Sequence, residues 1–562
     1  MANRNTETHF SNVAHAEIQR STFDMGETLK TSFNAGDIIP IYLNQDILPG
    51  DTMTMYANGV VRMSTPLTPV MDDCYIDTYF FDIPYRLIWE HTKEFFGENK
   101  TGAWGISTEY TIPQMTADAT NGIATGTIAD YFGLPKGIPS ITFSALPFRA
   151  LTLVVNEWFR NQNFTAPYTE YTDDTTRSQD NTNPVLGGLP FKAMKYSDYF
   201  TSALPEAQKP YATIGTNGGV KLPLGTTAPV VGNGMTLGLI SSGGGVKYTY
   251  GLAANQPVNS NTYLTPQPTT YGTNQGSTYT QNTINWSRTV GVTDDPAKSG
   301  LIADLTQATA ASINALRLAF QTQRILERMA VSGTRYTEII KGFFNVTSPD
   351  ARLQRPEYLG GERNPISMNQ VIQNSATDSV SPQGTTTAFS QTNATMGGFT
   401  KSFTEHSIVI GLGVVRQSHS YQQGLARSWS RLRLLDFYNP KLSHLGEMPI
   451  YKKEIYCDGT SADDDIWGYQ ERWAEYKFGL NKITGEMNSS YATPLDVWHY
   501  GDYYANRPSM GTSWLSETPN YIDRTLAIKS SSHNQFIADF YFNVKMTRPM
   551  PVYCTPGLLD HF

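Results

Sequence analysis

Between Arg317 and Arg363 the chain carries eight basic side chains against five acidic ones, inside a sequence of formal charge −8. The basic set includes Arg317, Arg324, Arg328, Arg335, Arg352 and Arg355. A guanidinium fork fits a carboxylate and a phosphate equally well. The cluster therefore reads first as salt bridges across a subunit contact and second as contacts to nucleic-acid phosphates. Arg317, Gln321, Arg324 and Arg328 recur at helical spacing, so one side of a helix would present all three arginines. Arg4 and Arg20, in the polar stretch from residue 1 to about Lys30, are candidates for the same two partners.

Other combinations that could do chemistry are weaker. Gly232, Gly234 and Gly238 form a GxGxxxG spacing with no strand–helix context and no correctly placed acidic partner, so no dinucleotide site is read. Asp463-Asp464-Asp465 offers hard oxygen ligands to a divalent cation, but a solvated acidic turn explains the run more simply. The nine histidines show no HExxH pattern. His406 and His419 flank a strand pattern, which suits structural roles. There is no GxSxG and no Walker loop. The three cysteines, Cys74, Cys457 and Cys554, are far apart and odd in number. They are expected to be reduced and buried, with no disulfide framework. No catalytic, cofactor-binding or metal site is assigned, and the chain is not read as an enzyme.

The elements that must position these residues belong to a large protein. At 562 residues the length alone suggests about four domains. Charged residues are only 16%, whereas 32 tyrosines and 26 phenylalanines are present. That balance suits strands and loops with large buried contacts, and such a chain needs partner surface to bury them. The net negative charge argues against a protein that coats nucleic acid over its whole surface. MANRNTETHFSN contains no signal-peptide core, and no apolar run is long enough to span a membrane.

One long helical pattern precedes the arginine-rich stretch. Ile302, Leu305, Thr309, Ile313, Leu316 and Phe320 share a face, Leu318, Ile325 and Met329 widen it, and Gly333 stops it. Strand signals occur in IIPIYL, TMTMYA and YIDTYFFDI, with a turn at Pro49-Gly50-Asp51. The cleanest strands come later. In Ser407 to Val415, Ile408, Ile410, Leu412 and Val414 alternate with small or apolar residues, so both faces are expected to be covered. In Phe536 to Met546, Phe540, Phe542, Val544 and Met546 alternate with polar residues, which predicts a half-buried antiparallel strand. Short helices are expected at Tyr85 to Phe96 and Ala150 to Phe159, with Trp158, Phe159 and Phe164 as core or interface anchors.

Lys209 to Gly300 departs from the rest, with seven charges and fifteen glycines. Its aromatics, Tyr248, Tyr250, Tyr263, Tyr271, Tyr279 and Trp286, lie among Thr, Asn and Ser, a composition that binds without strong long-range fields. A flexible surface loop is the plain alternative. If ordered, the segment is expected to contain short strands around Val230 to Ile240 and Val246 to Leu252.

Long motifs then point to a family. NALRLAFQTQRILERMAVSGTRYTE (Asn314 to Glu338) and SPDARLQRPEYLGG (Ser348 to Gly361) resemble the major capsid protein of small icosahedral single-stranded-DNA phages, the microviruses, and within them the gokushoviruses. FNAGDIIPIYLNQDILPGDT (Phe33 to Thr52), LPFRALTLVVNEWFRNQN (Leu146 to Asn163), WAEYKFGLNKITGEM (Trp473 to Met487) and VYCTPGLLDHF (Val552 to Phe562) extend the resemblance. It implies a mainly β fold: an antiparallel eight-stranded jelly roll, a β-sandwich, with very long inserted loops and a few helices. It implies an N-terminal arm at 1–30, a core from 31–208 and 301–562, and a variable insertion at 209–300. The insertion would protrude at the threefold axes and contact a host surface receptor through its aromatics. Copies would form a T=1 shell, a homo-oligomer with circular single-stranded DNA on its inner surface, assembled in the host bacterial cytoplasm. The implied partners are an internal scaffolding protein, a pilot protein and a small basic DNA-binding peptide. A carbohydrate-binding β-sandwich is the alternative from another class, and a glycosidase-like β enzyme a third.

Overall fold

The computed structural model describes residues 19–98, 109–209 and 313–553 apart from 376, 380, 381 and 444, together with the strands 230–232, 236–241, 248–251, 290–292 and 301–303. Two compact units form: Met1–Lys209 with Glu327–Phe562, and Pro210–Leu326.

The first unit is built on strands β1 (Ser21–Asp24), β2 (Glu27–Phe33), β3 (Asp37–Ile47), β4 (Thr52–Met63), β5 (Cys74–Pro84), β6 (Phe191–Lys192), β7 (Glu357–Gly360), β8 (Arg363–Pro365), β9 (Thr392–Ser402), β10 (Ser407–Gln417) and β11 (Phe536–Arg548). One sheet has the order β1–β11–β4–β9, with β2 also on β11; the other has the order β7–β5–β10–β3–β6, with β8 also on β5. All these pairings are antiparallel. β4 and β11 pair from Thr52↔Thr547 to Met63↔Phe536, although almost the whole sequence separates them. The chain is therefore a mainly β, sandwich-like framework with long excursions and few helices.

Alternation places the core. β11 buries Phe536, Ala538, Phe540, Phe542, Val544 and Met546 and turns the residues between them outward, apart from Arg548 at its end. Across the gap, Phe542 meets Tyr42 at 5.1 Å and Phe80 at 6.5 Å between ring centroids. β10 is covered on both faces, as its composition predicts. Ile408, Ile410, Leu412 and Val414 pack toward helix α1 (Leu146–Val154), while Val409 and Val415 enter the core shared by the two sheets. The small residues of that second face have a steric reason. A Cβ on Gly411 would lie 2.7 Å from the Phe80 ring and 2.8 Å from Tyr42 Cβ. Gly411→Val is expected to destabilise the unit by roughly 1–3 kcal/mol through overpacking, read as a lowered denaturant midpoint. An unchanged midpoint would mean that the two sheets do not close on this strand.

Three expectations need correction. The helical pattern begins too early: 301–303 is a strand, and the helix, α2, runs Ile313–Ser332. Leu305 and Thr309 lie outside the described residues. Gly333 does end the helix, with φ +95° and its N–H donating to Met329 O at 3.1 Å. Tyr85 to Phe96 is two helical turns, Tyr85–Ile88 and Thr92–Phe95, because Trp89 is extended and its buried indole donates to Asp174 Oδ1 at 2.6 Å. Cys74 is buried, but Cys457 is exposed, its Sγ 3.3 Å from Asp463 Oδ2; Cys554 lies outside the described residues.

In the second unit, Tyr248–Gly251, Thr236–Ser241 and Val290–Val292 form a three-stranded antiparallel sheet, and Val230–Gly232 pairs with Leu301–Ala303. Short strands thus occur where the sequence places them. Gly232 ends one strand and Gly238 lies within the next. Gly238 thus lies inside a strand where a phosphate-binding turn would open a helix, and Gly234 lies outside the described residues.

Candidate assembly surface

Helix α2 and the following helix α3 (Tyr336–Phe344) bring the arginine cluster into view. Arg317, Arg324 and Arg328 are all exposed on α2, and Arg328 lies 5.7 Å from the Phe343 ring centroid. Arg352 is exposed as well. Arg335 turns inward, donating to Asn156 O at 3.1 Å and Arg160 O at 2.9 Å and facing Glu338 at 3.4 Å. Arg355 is only 8% exposed. It stacks 3.9 Å over Trp158, pairs with Asp350 at 3.4 Å and donates to Thr337 Oγ1 at 3.1 Å. Arg335 and Arg355 therefore hold the turn after α2 in place, while the other four point to solvent. Arg20 is exposed and donates to Gly50 O and, at 3.3 Å, to Thr52 Oγ1. Arg4 lies outside the described residues, as do Tyr263, Tyr271, Tyr279 and Trp286. Tyr248 and Tyr250 sit on one strand of the second unit.

The acidic run is not a cation cradle. Asp463 accepts from Gly459 N at 2.8 Å and from Arg507 at 2.6 Å, Asp464 pairs with Lys453 at 2.6 Å and Asp465 with Lys452 at 3.0 Å. Three carboxylates that diverge onto three cations cannot converge on one ion.

His419 occupies a buried ionic node. Its Nδ1 lies 2.8 Å from Asp502 Oδ1 and its Nε2 3.0 Å from Glu517 Oε2. Lys195 Nζ donates to Asp502 Oδ2 at 3.1 Å and Tyr504 OH donates to the same oxygen at 2.8 Å. Burial alone would push the imidazole down, but the two carboxylates overcome it and hold it up at about 9. Protonated and bonded at both nitrogens, this imidazole cannot accept a proton from a substrate. The node ties segments around 195, 419, 502 and 517 together.

A further exposed feature among the described residues is apolar, and sequence reasoning missed it. After β10 the chain enters an irregular stretch with three 3-10 turns, Arg427–Ser430, Leu434–Asp436 and Pro440–Leu442. Its base is fixed: Arg427 donates to Pro449 O at 2.7 Å, and Arg431 reaches Glu475 at 3.3 Å and lies 4.4 Å over Tyr476. The Tyr438 ring meets Trp473 at 5.7 Å, and Asp436 accepts from Leu432 N and Arg433 N at 2.9 and 2.8 Å. Between these anchors, Trp429 is 78% exposed, Leu432 89% and Leu434 85%, with Leu435 and Phe437 also exposed. An anchored loop that holds a tryptophan and leucines in water has the composition of a protein-contact surface. Burying each such side chain is worth about 1.5–3 kcal/mol. The only sequence signal is the alternating Arg-Leu run RLRLL, too short to read as strand or helix. Leu318, Phe320 and Ile325 in the second unit, and Val331, Tyr336 and Phe344 in the first, are exposed as well.

Comparison with known proteins gives the family. A family model described as "Capsid protein (F protein)" matches residues 11–558. "Capsid protein VP1" of Bdellovibrio phage phiMH2K is 37% identical over 566 residues, spanning the whole of both chains. "Capsid protein VP1" of Spiroplasma virus 4 is 37% identical over 569 residues, 99% of each chain. "Capsid protein VP1" of Chlamydia phage 1 is 37% identical over 595 residues, 98% of this chain and 97% of the relative. Matched along nearly its whole length by the family model and by relatives of this identity, the chain belongs to the phage capsid protein (F protein) family.

Proposed function

We propose that copies of this capsid protein close into a T=1 icosahedral shell around circular single-stranded DNA. The observation that carries the reading is the anchored loop with Trp429, Leu432 and Leu434 held in solvent. A closed shell buries such faces by symmetry, whereas an isolated chain cannot. The family is structural, and the chain is accordingly a virion component rather than an enzyme. Among the described residues no helix is long and apolar enough to cross a membrane.

Finer parts of the proposal rest on the resemblance and on local features. The sandwich is read as a jelly roll with additions, supported by a chain that crosses between the sheets at β3–β4–β5 and again at β9–β10–β11. The partners proposed with it are an internal scaffolding protein, a pilot protein and a small basic DNA-binding peptide, with assembly in the host bacterial cytoplasm. Arg317, Arg324, Arg328 and Arg352 remain proposed contacts to neighbouring copies or to the genome. The 209–300 insertion is proposed as a threefold protrusion that meets a host receptor. Within it Tyr248–Gly251, Thr236–Ser241 and Val290–Val292 pair with one another, while Val230–Gly232 pairs with Leu301–Ala303 just past its end, inside a compact unit that runs Pro210–Leu326; this supports a structured insertion.

Expression of the chain followed by negative-stain microscopy tests the assembly. Closed particles about 250–300 Å across, from chain mass and interior packing density, are expected; a stable monomer at high concentration under assembly conditions would contradict it. Replacing Ala212 to Trp286 by a short Gly/Ser linker is expected to leave shells and to reduce adsorption to host cells. Normal adsorption by the shortened particles would remove the receptor role.

A further inference from the structure

The outer face of the five-stranded sheet presents a second kind of surface. Its strands are locked together by paired hydroxyls: Thr22 and Thr547 at 2.9 Å, Thr52 and Ser402 at 2.9 Å, Thr54 and Thr400 at 3.1 Å. At its centre two tyrosines stand in water, Tyr56 on β4 at 60% exposure and Tyr541 on β11 at 47%. Tyr56 pairs with Asn543 and Tyr541 with Asn58, so the two rings are diagonal neighbours on adjacent strands, with backbones roughly 7–8 Å apart. Beside Tyr541 runs a shallow groove of about 470 Å³, walled by Thr28, Asn58, Asn393 and Thr395.

The charges around these rings favour an anion. Lys30, Arg62 and Lys545 lie on this face with Arg20 at its edge, bonded to Thr52 Oγ1, against Asp24 and Asp539, a positive balance on a chain of formal charge −8. Lys30 pairs with Asp539 at 3.3 Å in the open, where such a pair is weak and readily exchanged. The face also differs from the loop that carries Trp429. Ile537 is its one large aliphatic side chain above one-third exposure, so it offers little to a hydrophobic protein partner. Exposed aromatics on adjacent strands, flanked by cations and amide or hydroxyl groups, are what unpaired bases and phosphates require.

We propose that this sheet face is a stacking platform for single-stranded DNA. Bases stack on Tyr56 and Tyr541, Asn58, Asn393 and Thr395 meet base edges, and Lys545, Arg62 and Lys30 meet phosphates. The inference rests on the reading of the chain as a shell around such a genome, and it adds a genome-facing surface to the arginine-bearing helix. Every base has a π-face, so binding is tolerant of sequence and weakens with salt.

The test uses the full chain and fluorescent oligothymidylate. Tyr56→Ala with Tyr541→Ala is expected to weaken binding at least about tenfold with little change in salt slope. Lys30→Gln with Arg62→Gln and Lys545→Gln is expected to lower the salt slope by about two. All five side chains are exposed or at the surface, so circular dichroism should report an intact fold. Ultraviolet irradiation of DNA-filled particles is expected to crosslink DNA to peptides containing Tyr56 or Tyr541. Unchanged affinity in both variants, or crosslinks confined to other peptides, overturns the platform while leaving the shell reading intact. Variant shells that keep oligonucleotide binding but lose a co-purifying protein also overturn it. Wild-type subunits that form no shell yet bind the oligonucleotide through these tyrosines support the platform and remove the shell instead.

Discussion

Trp429→Ser combined with Leu432→Ser and Leu434→Ser is expected to abolish shell formation and leave the subunit folded. The three side chains are 78%, 89% and 85% exposed, so the folded chain gains little from them. Surface changes of this kind usually move stability by no more than about 0.5 kcal/mol. At a contact between copies the same residues would be among the anchors, where truncation typically costs about 2 kcal/mol or more. Every copy in a closed shell repeats that loss, so the assembly equilibrium shifts steeply. Size-exclusion chromatography and electron microscopy give the assembly readout, and thermal melting of the subunit gives the control. Particles at normal yield would show that the loop is not a contact.

His419→Leu is expected to act in the opposite way, on the subunit itself. The substitution takes the shared imidazolium from Asp502 and Glu517 and leaves Lys195 as the cation on Asp502. Removing one partner from a buried ionic group costs about 3–5 kcal/mol. The wild-type node also fixes a pH dependence. His419 is held at about 9, above its ordinary 6.5. A raised folded-state value contributes stability that is complete below about 6.5 and is lost as pH rises through about 9. The span corresponds to about 3 kcal/mol. Denaturant midpoints measured from pH 6 to pH 10 should fall in the wild type and lose this component in the variant. A flat wild-type profile would show that the imidazole is not charged in the fold.

How far these features could be read from sequence depended on whether the signal was local. The alternation in Phe536 to Met546 placed β11 and its inner face directly, and the small residues between Ile408 and Val414 announced a strand covered twice. Pairing of β11 with β4 was not legible, because register between distant strands leaves no local trace. The long helix was over-extended for a related reason: Ile302 has helical spacing to Ile313, yet its backbone pairs with Val231. Arg355 looked like its exposed neighbours, and only the fold slides it over Trp158. The loop around Trp429 was missed because leucines in a sequence imply burial without saying who buries them. Most of the aromatics proposed for the 209–300 insertion lie outside the described residues, and that proposal still rests on composition and resemblance.

On the proposed reading, this capsid protein completes its apolar burial only against other copies of itself. A cryo-electron-microscopy reconstruction of particles assembled from the expressed chain tests it most directly. The expected result is a closed shell in which Trp429, Leu432 and Leu434 of each subunit lie dry against a neighbouring copy. A closed shell with that loop projecting into solvent, or a chain that stays monomeric under assembly conditions, would contradict it.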